Sequence, residues 1–118
     1  MNRSIALSKL ERTDEAVADA TAAIDLDPDD TDTLALAYVS RCVDLILLER
    51  VEEAVADVTA AIDLEPDDID TLALAYVNRS IALSKLERTD EAVADLRIVV
   101  ELVPQSHELN RQAVALLA

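Results

Sequence analysis

The chain has 118 residues, enough for one small domain that buries roughly two-thirds of the surface exposed by its unfolded form. It carries 25 acidic against 10 basic residues, a net charge of −15, which argues against nucleic acid and anionic membrane surfaces as partners and favours basic ones. Apolar residues make up 52%, drawn mainly from Ala, Leu, Val and Ile, and there is no glycine, phenylalanine or tryptophan; without glycine a hairpin-rich β fold is hard to turn, whereas alanine and leucine favour helix.

In chain order, the opening "MNRSIALSKLER" breaks its apolar residues with Arg3, Lys9, Glu11 and Arg12, so it does not read as a secretory signal. The segment "NRSIALSKLERTDEAVAD" at Asn2–Asp19 then recurs without change at Asn78–Asp95, and "EAVAD" also begins at Glu53, midway. Thr21–Ser40 and Thr59–Asn78 match except at three positions. The chain is therefore expected to be built from units of 38 residues, and a period of this size signals stacked supersecondary units. Verbatim copying points to a recent or an engineered duplication.

Each unit is predicted to hold two helices. Met1 stands where Val39 and Val77 stand, so the chain is expected to open part-way through the first of them. The next helix, "DEAVADATAAIDL", places Ala16, Ala20, Ala23 and Ile24 on one stripe, with a Thr or Asp cap and with Asp14 and Glu15 in its first turn. In the middle copy Val51 replaces the threonine, predicting a weaker cap there. Pro28, Pro66 and Pro104 are expected to end these helices, and the acids of "DPDD" to cap the long helices that follow, over Thr31–Leu48 and Ile69–Glu87. Ser106 is predicted to cap a last helix. The expectation is seven helices and no strand. The longest apolar stretch, Leu34–Val39, is far too short to span a bilayer. The single cysteine, Cys42, excludes an internal disulfide and fits a reducing, cytoplasmic location.

These residues carry a resemblance to the tetratricopeptide repeat. The small residue of the family's first helix is matched by Ser4, Cys42 and Ser80, and its early aromatic by Tyr38 and Tyr76. The alanines of the second helix are matched by Ala16, Ala54 and Ala92, then by Ala23 and Ala61 with Val99, and the terminal proline by Pro28, Pro66 and Pro104. The period exceeds the family's usual value of about 34 by one helical turn, placed in the first helix. The second-helix aromatic is replaced by Ala20, Val58 and Leu96, which thins the core. The resemblance implies an all-α, right-handed solenoid of helical hairpins. About three units (residues 1–28, 29–66 and 67–104) would be closed by a capping helix over 105–118.

Candidate sites are few. Asp25, Asp27 and Asp29 alternate like the start of a calcium loop, but Pro28 intrudes and Leu36 stands where a bidentate glutamate belongs, so they read as caps and solvated turns. His107 has no Cys, Asp or Glu neighbour at ligand spacing apart from Glu108, which points elsewhere, and reads as a surface residue. Cys42 lies at a helix crossing, where a thiol is inert packing. With no metal, phosphate-loop or triad pattern, an enzyme is not expected, nor is a cofactor. Asp44 sits on a packing face at the place of Ala6 and Ala82, so an ion pair with Arg41, or with Arg79 of the next unit, is expected.

The resemblance also implies a concave groove for peptides along the first helices. Here it would be lined by Leu36, Val39, Val43, Ile46, Leu47, Leu74, Val77 and Ile81, with Lys85 and Lys9 at its margin. Asn2 and Asn78 could serve as amides of a carboxylate clamp, but apolar residues take most of the other places. Two functions are weighed. One is a non-catalytic scaffold holding a peptide or amphipathic helix with basic flanks. The other is a self-assembling, homo-oligomeric repeat without a natural ligand, since open ends of stacked repeats invite association.

Overall fold

The computed structural model describes residues 2–26 and 29–118, with side chains from residue 12 onward. Asp27 and Pro28 therefore lie outside the described residues, as do the side chains of Asn2, Ser4, Lys9 and the other residues before position 12. The described chain is all helical: α1 (Asn2–Asp25), α2 (Thr31–Leu47), α3 (Val51–Asp63), α4 (Ile69–Lys85), α5 (Thr89–Leu102) and α6 (Glu108–Leu117).

The helices start where acids can cap them. Asp30 and Asp68 accept hydrogen bonds from the backbone N–H of Asp32 and Asp70 at 3.1 Å and from the hydroxyls of Thr33 and Thr71. The second helices differ from expectation. α3 and α5 begin after Arg50 and Arg88, neither of which caps through its side chain, so threonine against valine makes no difference there. Each arginine instead pairs with the glutamate three residues on, Glu53 or Glu91.

Lacking glycine, the chain ends three helices on glutamates at positive φ: Glu49 (62°), Glu65 (52°) and Glu87 (62°). At two of them a double bond pattern closes the helix. Glu49 N–H reaches Ile46 O and Arg50 N–H reaches Leu45 O; Glu87 and Arg88 do the same to Ser84 and Leu83. A side chain at left-handed φ costs about 1 kcal/mol that glycine avoids. Glu87→Gly is therefore expected to stabilise the fold by about 1 kcal/mol, raising the thermal midpoint by about 4 °C in a calorimetric scan.

The same residue type at position 11 behaves oppositely, because α1 is one helix and not two. Seven helices were predicted, and six are found among the described residues. The identical segments Asn2–Asp19 and Asn78–Asp95 thus take two conformations, a continuous helix and a helix–turn–helix. Nothing in "SKLERTDE" stops a helix, so local propensity favours continuity. At 78–95 tertiary packing overrides it: Ala73, Val77, Leu96 and Val99 close into one core. Glu11→Gly is expected to lower helicity by circular dichroism and to cost α1 about 1 kcal/mol.

Packing is between sequence neighbours, α1 on α2, α2 on α3, α3 on α4, α4 on α5 and α5 on α6, with α2 also on α4 and α4 on α6. The helices α2, α4 and α6 therefore form an inner layer, and α1, α3 and α5 flank it without packing on one another among the described residues. Small residues allow the close crossings: Cys42, Ala54, Ala61, Ala75 and Ala82 are fully buried, and Ser80 is 1% exposed. Among the described residues no helix is long and apolar enough to cross a membrane.

Candidate functional site

Along α2 the residues Leu36, Ser40, Val43 and Leu47 are all exposed, and their spacing of four, three and four places them on one face. Leu36, Val43 and Leu47 are large apolar residues, 43%, 38% and 62% exposed. Their register counterparts on α4 are Leu74, Asn78, Ile81 and Lys85, the first three half-buried and Lys85 exposed. The two rows lie on adjacent helices of the inner layer. Two residues expected among them are corrected. Val39 (3%) and Val77 (2%) face the core and are closed to a partner. Ile46 is half-buried and packs against the cluster around Cys42 and Leu45. The amide of Asn78 donates to Leu74 O at 3.0 Å, so it is engaged within its own helix and not held out as a clamp.

The expected Arg41–Asp44 pair is not formed. Arg41 reaches across the hairpin to Asp57 of α3 through two bonds, Nε to Oδ2 at 2.6 Å and Nη2 to Oδ1 at 2.7 Å, with Nη1 on the Thr21 hydroxyl at 3.1 Å. Arg79 makes the same fork to Asp95 of α5 at 2.8 Å in both arms. Each guanidinium lies over the tyrosine one turn earlier, 5.7 Å from the Tyr38 ring centre and 5.3 Å from that of Tyr76. The hydrogen bonds that the two guanidiniums donate to the carboxylates, reinforced by the carboxylate charge, hold both arginines above their ordinary pKa despite partial burial. These clamps fasten each hairpin internally, and their spacing of 16 residues was a signal open to sequence reading: Arg3/Asp19, Arg41/Asp57 and Arg79/Asp95 repeat it.

Asp44 is half-buried, and burial raises its carboxyl pKa above the usual range. A raised folded pKa means that ionising this group costs stability at neutral pH, and that the cost shrinks as pH falls through the folded value and is gone below the unfolded one. Asp44→Ala, the residue of the next unit at Ala82, is expected to be stabilising at pH 7 and neutral near pH 3 in paired urea titrations. Burial likewise pushes the Cys42 thiol to about 12, aided by the charge of Asp57, consistent with inert packing.

Two further residues were missed. α6 is capped by His107, not Ser106: its Nδ1 accepts from Leu109 N–H at 3.0 Å, so Nε2 carries the proton that faces Asp70 Oδ1 of α4 at 2.9 Å. His107 therefore has an acidic partner 37 residues away. Asn110, buried in α6, donates to Val100 O and Val103 O and ties off the end of α5. Among the described residues no group of three or more His, Cys, Asp or Glu could hold a metal ion.

The tetratricopeptide repeat family model matches residues 1–30. Among solved structures, the Arabidopsis OM64 TPR domain is similar, with a TM-score of 0.72 and 29% sequence identity over 95% of this chain and 85% of that one. No curated protein matches. The fold is that of a tetratricopeptide-repeat domain, and residues 1–30 are similar to the family's repeat. That fold generally mediates protein–protein interaction.

Proposed function

We propose that the chain is a non-catalytic scaffold that holds a peptide or amphipathic helix along the inner faces of α2 and α4. The observation that carries this reading is the row Leu36, Val43 and Leu47, three exposed apolar side chains on the face of a helix whose opposite side is core. Leu74 and Ile81 extend the apolar surface beside it, and Lys85 marks its far margin. Such a surface suits a ligand that presents apolar residues at i, i+4, i+7 and i+11. The net charge of −15 favours ligands with basic flanks and makes association weaken with salt.

The test is a titration with a synthetic helical peptide bearing leucine at those four positions and lysine elsewhere, followed by fluorescence anisotropy. Val43→Lys with Leu47→Lys is expected to weaken binding about a hundredfold, since it removes two apolar contacts and adds like charge. Leu26→Lys, at an exposed residue away from the inner layer, is expected to leave it unchanged. Equal loss in both variants would refute the groove.

A further inference from the structure

Charge is distributed unevenly along the groove. The row on α2 extends one turn back from Leu36 to Asp32, half-buried, and the row on α4 one turn back from Leu74 to Asp70, exposed. Glu108 stands in register 38 residues after Asp70, in the first turn of α6, and is exposed. Each inner helix thus sets a carboxylate at the same end of the groove. Two of them are held at the cap of the next inner helix. Asp32 Oδ1 accepts from Asp68 N–H at 3.4 Å, and Asp70 Oδ1 accepts from His107 Nε2 at 2.9 Å. The Oδ2 of each makes no hydrogen bond among the described residues. Asp29, Asp30, Asp67 and Asp68, all exposed, deepen the negative charge there. The opposite end differs. The row on α4 closes at exposed Lys85, which pairs with no carboxylate among the described residues. Glu49 and Glu87 lie two residues past the rows, in the connecting turns.

We propose that the occupant of the groove is an amphipathic helix of one polarity. It lies antiparallel to α2 and α4, with lysines or arginines in its last turn facing Asp32 and Asp70 and an acid in its first turn facing Lys85. The inference rests on the groove reading above and deepens it by fixing which end of the ligand is basic. Three considerations agree. The charges at the two ends of the groove are complementary to those of such a ligand. Cations in the last turn and acids in the first also suit the ligand's own dipole, so the helix that fits is a helix that holds together. Finally, the bonds from Asp32 to the cap of α4 and from Asp70 to the cap of α6 join start to start, so the inner helices run the same way. A ligand helix laid against them with the opposite direction opposes their dipoles and gains by it. From Asp32 to Leu47 the row on α2 rises about 22 Å, so a ligand of about four turns sets both charged ends at once.

Two synthetic peptides of one composition test this, both with leucine at i, i+4, i+7 and i+11. One has glutamates in its first turn and lysines in its last; the other has them exchanged. Titrated at low salt by fluorescence anisotropy, the first is expected to bind about tenfold tighter. The exchanged peptide is also the weaker helix on its own, so the decisive reading is how the ratio responds to the protein. In Asp32→Lys with Lys85→Glu, checked for folding by circular dichroism, the ratio should fall to about one. A nitroxide on the last residue of the first peptide should broaden the amide resonances of Asp32 and Asp70 more strongly than that of Lys85. A ratio unchanged in the variant overturns the proposal, as does the reverse order of broadening. If both peptides bind alike and Val43→Lys with Leu47→Lys releases both, the groove stands and its polarity is refuted. If neither binds, the groove itself is refuted, and the polarity with it.

Discussion

Replacing Asp95 with alanine is expected to cost about 2–3 kcal/mol of stability, measured by urea denaturation at pH 7. The reason is what remains. Arg79 is held over Tyr76 with its guanidinium mostly covered, and its two hydrogen bonds have no other acceptor among the described residues. Removing one member of such a pair leaves a charge short of both water and partner. Asp57→Ala is expected to cost less, about 1–2 kcal/mol, because Arg41 keeps the Thr21 hydroxyl as an acceptor and Asp57 is the more exposed of the two aspartates. The double change Arg79→Met with Asp95→Leu should recover most of the loss, since apolar packing of similar volume replaces a buried ion pair at little cost. A larger loss at Asp57 than at Asp95 would contradict this account of the clamps.

Leu96→Ala is the second large effect, expected to cost about 3 kcal/mol. Leu96 is 4% exposed and occupies the second-helix position where neither Val58 nor Ala20 supplies comparable bulk. It shares one core with Ala73, Val77, Val99, Val103 and Ala113, small side chains that cannot expand into the space it leaves. The loss should be local. In a stack where each unit packs only on its neighbours, stability is a sum of unit and junction terms. Amide exchange should accelerate in α5 and α6 well before α2 and α3, whose core is built around Cys42, Ala54 and Val58.

Much of this architecture is legible in the residues. The repeated letters give the pairing of helices, Asp30 and Asp68 stand where caps belong, and Cys42, Ser80, Ala54, Ala61 and Ala92 mark the close crossings. What escapes has physical causes. Val39 and Leu36 lie on one helix three residues apart, and which of them meets the core depends on how α2 rotates against α3 and α4, information that lives in the partner helices. Arg41 selects Asp57 over the nearer Asp44 because the hairpin brings α3 within reach, a tertiary fact that spacing along one helix hides. The glutamates at positive φ escape because such positions favour glycine, whereas helix-end hydrogen bonds hold Glu49, Glu65 and Glu87 there. His107 displaces Ser106 as a cap because its second nitrogen gains Asp70.

The same reasoning governs the segment written twice. Since the eighteen residues are the same in both places, it is their surroundings, and not local sequence, that decide whether they bend. Residue-resolved Cα chemical shifts at Glu11 and Glu87 test this most directly, since the flanking letters are identical and only the surroundings differ. A helical shift at Glu11 beside a left-handed one at Glu87 is the predicted result; matching shifts at the two positions would contradict it.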